Sequence, residues 1–151
     1  MIAPDVNVLL YALRKDAERH ADYRAWLQAA LHGREPVALF EPVLAAVLRV
    51  ATHPAVFRPP TPRPVAEAFV DACLAAPAAL ALRAEAGHWP AFRELCARAD
   101  CRGNLVQDAY LAALALEHDA VFVTTDRDFA RFPGLRWQHP LDADRPTTNP
   151  R

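Results

Sequence analysis

The sequence predicts one α/β domain, three layers deep (α/β/α), with about five parallel strands in a single sheet flanked by helices. Three observations lead there. Short apolar runs alternate with longer segments whose apolar residues recur at helical spacing, so each strand is followed by a right-handed helical crossover. A length of 151 residues makes one domain the default, and 53% apolar residues suffice for one core. No repeat, low-complexity stretch or linker divides the chain.

Ile2–Tyr11 opens as a buried strand that passes directly into a helical turn, with Asp5 near the strand's end. From Ala17 to Leu31 the residues Tyr23, Trp26, Leu27, Ala30 and Leu31 form one helical stripe, and Gly33 provides the stop. Pro36–Phe40 is a second buried strand ending at Glu41; Pro42 suits a helix's first position, and Val43–Ala51 continues as an apolar helix. Pro54, Pro59, Pro60, Pro62 and Pro64 make Thr52–Pro64 a stiff connection. Val65–Ala76 is a helix closed by Pro77, Ala79–Leu82 a third strand, and Trp89–Ala99 a further helix. Asn104, with Gln107 three residues on, reads as a capping box before the helix Leu105–His118. Val121–Thr124 is the fourth strand, Thr125–Asp128 a turn, and Leu135–Trp137 a fifth strand at the edge. The domain spans residues 1–141, and the polar residues 142–151 are expected to be a disordered tail.

Composition excludes several classes. The 17 Lys and Arg against 18 Asp and Glu leave a formal charge of −1, so no net basic field collects nucleic acid, although a local patch could still hold it. Lys15 is the only Lys. The longest uncharged stretch, Ala72–Leu82, is interrupted by Pro77 and is far shorter than the roughly 20 residues of a membrane span. Asp5 within the first apolar run opposes a secretory signal. Cys73, Cys96 and Cys101 are odd in number and lack a C-x-x-C pair, so neither a disulfide framework nor a zinc site is expected, and a cytoplasmic location is.

The chemistry lies in the acids. In an open parallel sheet the reactive site sits at the carboxyl ends of the strands. Asp5, Glu41 and Asp126 each follow a strand. Asp108 opens the helix that precedes the fourth strand and runs antiparallel to it, so its first turn reaches the same edge. Four such carboxylates repel one another unless a cation joins them. Oxygen-only donors suit Mg²⁺, with Mn²⁺ as the substitute ion, and the implied reaction is metal-assisted hydrolysis of a phosphodiester. Asn7 and Thr124 stand one step away as supporting groups, Asp128 is a further supporting acid, and Arg102 and Arg127 lead the arginines available to phosphate.

Each residue also has a plainer role. Glu41 and Asp108 favour helix N-termini electrostatically, and Asp126 and Asp128 are common turn residues. Asn104 is accounted for by capping. The six His residues show no ligand spacing, and Trp26, Trp89 and Trp137 read as core or interface. Haloacid-dehalogenase-like phosphatases and receiver domains also place an Asp after the first strand. Receivers need a late Lys and the phosphatases a late Lys or Arg, and no Lys follows Lys15; the second Asp of the phosphatases is Asn7 here.

Asp5-Val6-Asn7-Val8-Leu9, Glu41 before Val43–Val50, Asn104-Leu105-Val106-Gln107-Asp108-Ala109-Tyr110 and Val123-Thr124-Thr125-Asp126-Arg127-Asp128-Phe129 resemble the PIN-domain ribonucleases, in particular the VapC-type toxins. Phe132–Trp137 is similar as well, and the resemblance runs from residue 2 to about 141. It implies a PIN-like fold with Asp5 and Asp108 as the main Mg²⁺ ligands. Glu41 and Asp126 would complete the cluster through water or a second metal, with Asn7 and Thr124 in support. It further implies an endoribonuclease that is a homodimer, cuts an RNA substrate and is held inactive by a small VapB-type antitoxin, with no membrane involved. Gln107 departs from the Pro often found there, and either residue fits a first turn. The competing reading within the resemblance is an inactive PIN-like module that only binds RNA or protein.

Overall fold

Wholly buried apolar runs form the centre of the sheet. β1 (Ile2–Pro4), β2 (Val37–Phe40) and β4 (Val121–Val123) are buried along their whole length, as strands covered on both faces must be. The computed structural model describes residues 1–142 and 146–150. β1 pairs in parallel with β2 and with β4, the latter in the register Ile2 with Val121 through Pro4 with Val123. β3 (Ala79–Leu82) pairs outside β2, and β5 (Arg136–Gln138) outside β4. The order is β3-β2-β1-β4-β5-β6, so the connections leave β1 in one direction and return past it in the other.

Helices fill the connections: α1 (Val6–Leu13), α2 (His20–Leu31), α3 (Glu41–Ala51), α4 (Arg63–Leu74), α5 (His88–Arg98) and α6 (Asn104–Glu117). Right-handed crossovers running in opposite directions from β1 place α1–α4 and α5–α6 on opposite faces, which gives the expected three layers. α6 is built from small residues on its inner side, with Ala109 and Leu111–Ala115 buried, so it lies close against the sheet. Phe122, Phe129 and Phe132 close the β4 side; adjacent ring centroids lie 4.6 and 5.6 Å apart.

Two expectations are corrected. α6 begins one residue early: Gly103 is the N-cap, with φ +56° and ψ −128°, and the Asn104 side chain makes no capping bond. A backbone that glycine adopts without penalty lets the chain turn sooner, and 3₁₀-type bonds from Leu105 and Val106 N–H to the Arg102 and Gly103 carbonyls use the first donors. The capping-box reading of Asn104 and Gln107 therefore falls. The tail was expected to be disordered, yet Thr147–Thr148 form β6, antiparallel to β5, and β5 is not the edge; residues 143–145 and 151 lie outside the described residues. The five expected parallel strands are present, and β6 adds a sixth, antiparallel one at the edge.

Asn149 anchors that strand. Its side-chain amide donates to the carbonyls of Phe129 and Phe132, both at 2.8 Å, and its Oδ1 accepts from Trp137 Nε1 at 3.2 Å. Asn149 is 5% exposed, so these groups have little access to water. Asn149→Ala is expected to lower unfolding free energy by about 2 kcal/mol, because it orphans two buried carbonyls. A denaturant midpoint unchanged from the parent would show that the tail contributes nothing.

Candidate active site

Asp5 performs two tasks at the end of β1. Its backbone N–H continues the sheet by donating to Val123 O at 2.8 Å, while its side chain caps α1 by accepting from Val6 N–H at 2.7 Å. Strand and helix thus meet at one residue, which holds its carboxylate in place. Asp5 Oδ2 accepts from Thr124 Oγ1 at 2.7 Å and from Asn7 Nδ2 at 2.8 Å. The Thr124 hydroxyl, fully buried, also accepts from Asn7 Nδ2 and from Asp126 N–H, each at 3.0 Å. One donor and two lone pairs are all a hydroxyl has, so Thr124 is saturated. Asn7 Oδ1 accepts from Thr125 N–H at 3.3 Å, tying the start of α1 to the loop after β4.

These residues border an open cleft of about 730 Å³. Asp5 and Asn7 form its floor, Asp126 enters from the loop after β4, and Asn104, Gln107 and Asp108 enter from α6. Pro42, Ala45, Ala46 and Arg49 of α3 form the far wall. The cleft lies outside the carboxyl ends of β1 and β4, where the crossovers diverge, and an open α/β sheet binds its ligands at such a point.

The cleft is poor in compensating charge. Burial raises the Asp5 carboxyl above its usual range, against the lowering effect of its hydrogen bonds from Thr124 and Val6; the charge of Asp126 raises it further. Asp108 is pushed up to about 6, by burial first, then by the charges of Asp126, Asp5 and Asp128, with Arg131 opposing. Among the described residues no hydrogen-bond donor reaches the Asp108 carboxylate. No three His, Cys, Asp or Glu side chains among the described residues stand close enough to form a ready-made metal cage.

The remaining expected residues are placed differently. Glu41 follows β2 as the first residue of α3, at the same sheet edge, but its side chain is exposed and is not part of the cleft lining. Asp128 lies beyond Asp126, donating its N–H to Asp126 Oδ1 at 2.8 Å and accepting from Arg131 at 3.1 Å. Arg102 pairs with Asp100 on the surface, and Arg127 lines a separate polar cavity with Trp137, Gln138 and His139. Arg49 lines the cleft itself, and Arg131, absent from the sequence reading, is the cation whose charge reaches Asp108. Its position three residues after Asp128, one turn along, was the available signal.

A sheet of this order with acids at the β1 and β4 ends defines a class, and the chain belongs to the PIN-domain family: the family's model matches residues 2–135. It is 51% identical over 142 residues to the VapC ribonuclease Mb2897 of Mycobacterium bovis, covering 94% of this chain and 97% of that protein. Ribonuclease VapC31 of Mycobacterium tuberculosis is 41% identical over 140 residues, covering 93% and 99%. Among solved structures, VapBC2 from Rickettsia felis bound to a promoter DNA fragment aligns with TM-score 0.70 at 21% identity, covering 92% of this chain and 98% of that one. Mycobacterium tuberculosis VapC20, a Sarcin-Ricin loop cleaving toxin, aligns with TM-score 0.64 at 14% identity, covering 86% and 93%. At those identities the two structures speak for the fold alone.

The Asp108 shift has a thermodynamic sign. Its folded value of about 6 lies above the ordinary 3.8, so between those pH values the folded chain holds a proton that the unfolded chain has lost. Its contribution to stability is therefore fully present below about pH 4 and is lost as pH rises through about 6. Asp108→Asn is expected to melt about 2–4 °C higher than the parent at pH 7.5 without divalent ions, and at the same temperature near pH 3.5. Equal melting temperatures at pH 7.5 would show that the Asp108 charge is already compensated.

Proposed function

We propose that the chain is a Mg²⁺-dependent endoribonuclease and the toxin of a type II toxin–antitoxin pair. The observation that carries this reading is the convergence of Asp5, Asp108 and Asp126 on one cleft, where burial and mutual repulsion raise the first two. A divalent cation relieves that repulsion. The donor set fits Mg²⁺ or Mn²⁺, being all oxygen, open to solvent and short of a full protein cage; Mg²⁺ keeps several waters and takes one or two carboxylates with substrate phosphate. Asp5 and Asp108 would hold it, with Asp126 beside them and Glu41 reaching it through water or a second ion. Once bound, it supplies a low-pKa water and stabilises the charge that develops on the leaving oxygen.

The chain's own groups supply the positioning. Thr124 and Asn7 fix the Asp5 carboxylate in one orientation, and Thr124 ties the Asp126 backbone to the same hydroxyl. Arg49, on the far wall of the same cleft, would receive the scissile phosphate on its planar fork. Arg102 and Arg127 sit farther out, where they would touch flanking phosphates. The chain would act as a homodimer in the cytoplasm, restrained by a small VapB-type antitoxin. The 36–51% identity to proteins named VapC ribonucleases supports that partner and the RNA substrate. No helix among the described residues is long and apolar enough to cross a membrane.

Cleavage of total RNA by the purified chain is expected with Mg²⁺ and absent with EDTA. Asp5→Asn and Asp108→Asn are expected to lower the rate by about 10²–10³-fold. Thr124→Val, which acts through Asp5, should cost about 10–100-fold. Glu41→Gln should cost less than Asp108→Asn, since Glu41 stands outside the cleft. Cleavage undiminished by EDTA or by Asp5→Asn would overturn the metal assignment, and no cleavage with any divalent ion would favour a binding module. Growth arrest on expression, relieved by the protein of a small adjacent gene, tests the toxin role; expression of an active chain without harm to the host counts against it.

A further inference from the structure

We propose that Cys96 and Cys101 form a reversible dithiol–disulfide pair at the root of the helix that carries Asp108. α5 ends in a Schellman turn: Asp100 takes a left-handed φ of +46°, Cys101 N–H donates to Cys96 O at 2.9 Å, and Asp100 N–H donates to Ala97 O at 3.4 Å. That turn sets the side chain three positions inside the helix end against the one two positions beyond the cap, ordinarily as an apolar contact. Here both positions are cysteine, so the turn sets the two thiols on the same side of the helix end. Both residues are half-buried, so a small oxidant can reach them, whereas Cys73 is buried on another helix. A disulfide needs a close approach of the two backbones, which the hydrogen bond from Cys101 N–H to Cys96 O already supplies.

The chemistry balances with a hydroperoxide as oxidant. The thiolate of one cysteine attacks the peroxide, an S–O bond forms, the O–O bond breaks, and water or an alcohol leaves. The second sulfur then displaces the sulfenic oxygen, the S–S bond forms, the S–O bond breaks, and a second water leaves. The two sulfurs together give up two electrons and the peroxide takes them. Burial, followed by the neighbouring Cys96, pushes the Cys101 thiol up to about 11, so Cys101 is a thiol at neutral pH and the bond closes only under sustained oxidant. This agrees with a compartment in which disulfides are transient. Closure would anchor the connection from α5 into the first turn of α6, the turn before Asp108.

Peptide mapping tests this on the full chain treated with hydrogen peroxide. Arg98 lies between the two cysteines, so trypsin separates Glu94–Arg98 from Ala99–Arg102. A peptide pair joined only through sulfur is expected after oxidation, with a mass loss of two hydrogens and one alkylatable thiol remaining; dithiothreitol should restore all three. Cys96→Ser and Cys101→Ser should each abolish the joined pair, and Cys73→Ser should leave it unchanged. The proposal is overturned if all three thiols remain alkylatable, if Cys73 enters the bond, or if the link forms only between two molecules.

Discussion

The Asp5 carboxylate, buried where β1 and β4 end together, constrains everything around it. Its backbone belongs to the sheet, its side chain caps α1, and its second oxygen receives Thr124 and Asn7. These contacts require the parallel register that sets Pro4 beside Val123, since only that alignment brings Thr124 next to Asp5. Burying a carboxylate costs several kcal/mol unless its lone pairs are satisfied. The hydrogen bonds offset part of that cost, and the carboxyl still lies above its ordinary range. The acids of the cleft therefore repel one another without a full counter-charge from the protein, and the proposed cation would relieve that repulsion.

Charge elsewhere is distributed to match. An overall balance near neutrality conceals three acids and Arg49 gathered in the cleft, with the other arginines outside it. Arg49 faces the acids across the cleft, and Arg131 moderates Asp108 while paired with Asp128. An arginine keeps its charge in such surroundings where a lysine could lose it, which fits a chain whose basic residues are almost all arginine.

The placement of Asp5, Asp108 and Asp126 was legible because strand ends are easy to recognise. Each acid follows or faces a short apolar run, and in a parallel sheet all such ends share one edge. Glu41 obeys the same logic and still stands outside the cleft. β2 lies one strand farther from the diverging crossovers, and α3 starts at once, so the side chain meets solvent. Asn104 matched a capping pattern, but a glycine just before it made another start cheaper, and the side chain was freed to line the cleft. Thr147 and Thr148 carry no apolar run to betray a strand, and their order comes from one buried amide, Asn149, bonding to segments more than a dozen residues away.

By itself the sequence determined the α/β class, the number of parallel strands and the edge on which three acids meet. These follow from hydrophobic periodicity and from the handedness of crossovers, both of which are local or generic. Only the tertiary structure decided which acids share the cleft, that Thr124 spends its whole hydrogen-bonding capacity on Asp5, Asn7 and Asp126, and that the backbones of two cysteines five residues apart are joined across one turn. Those outcomes depend on strand register, on the point where each helix begins, and on the left-handed turn after α5, and each is set by contacts between residues distant in the chain or by one backbone angle that no side-chain pattern encodes.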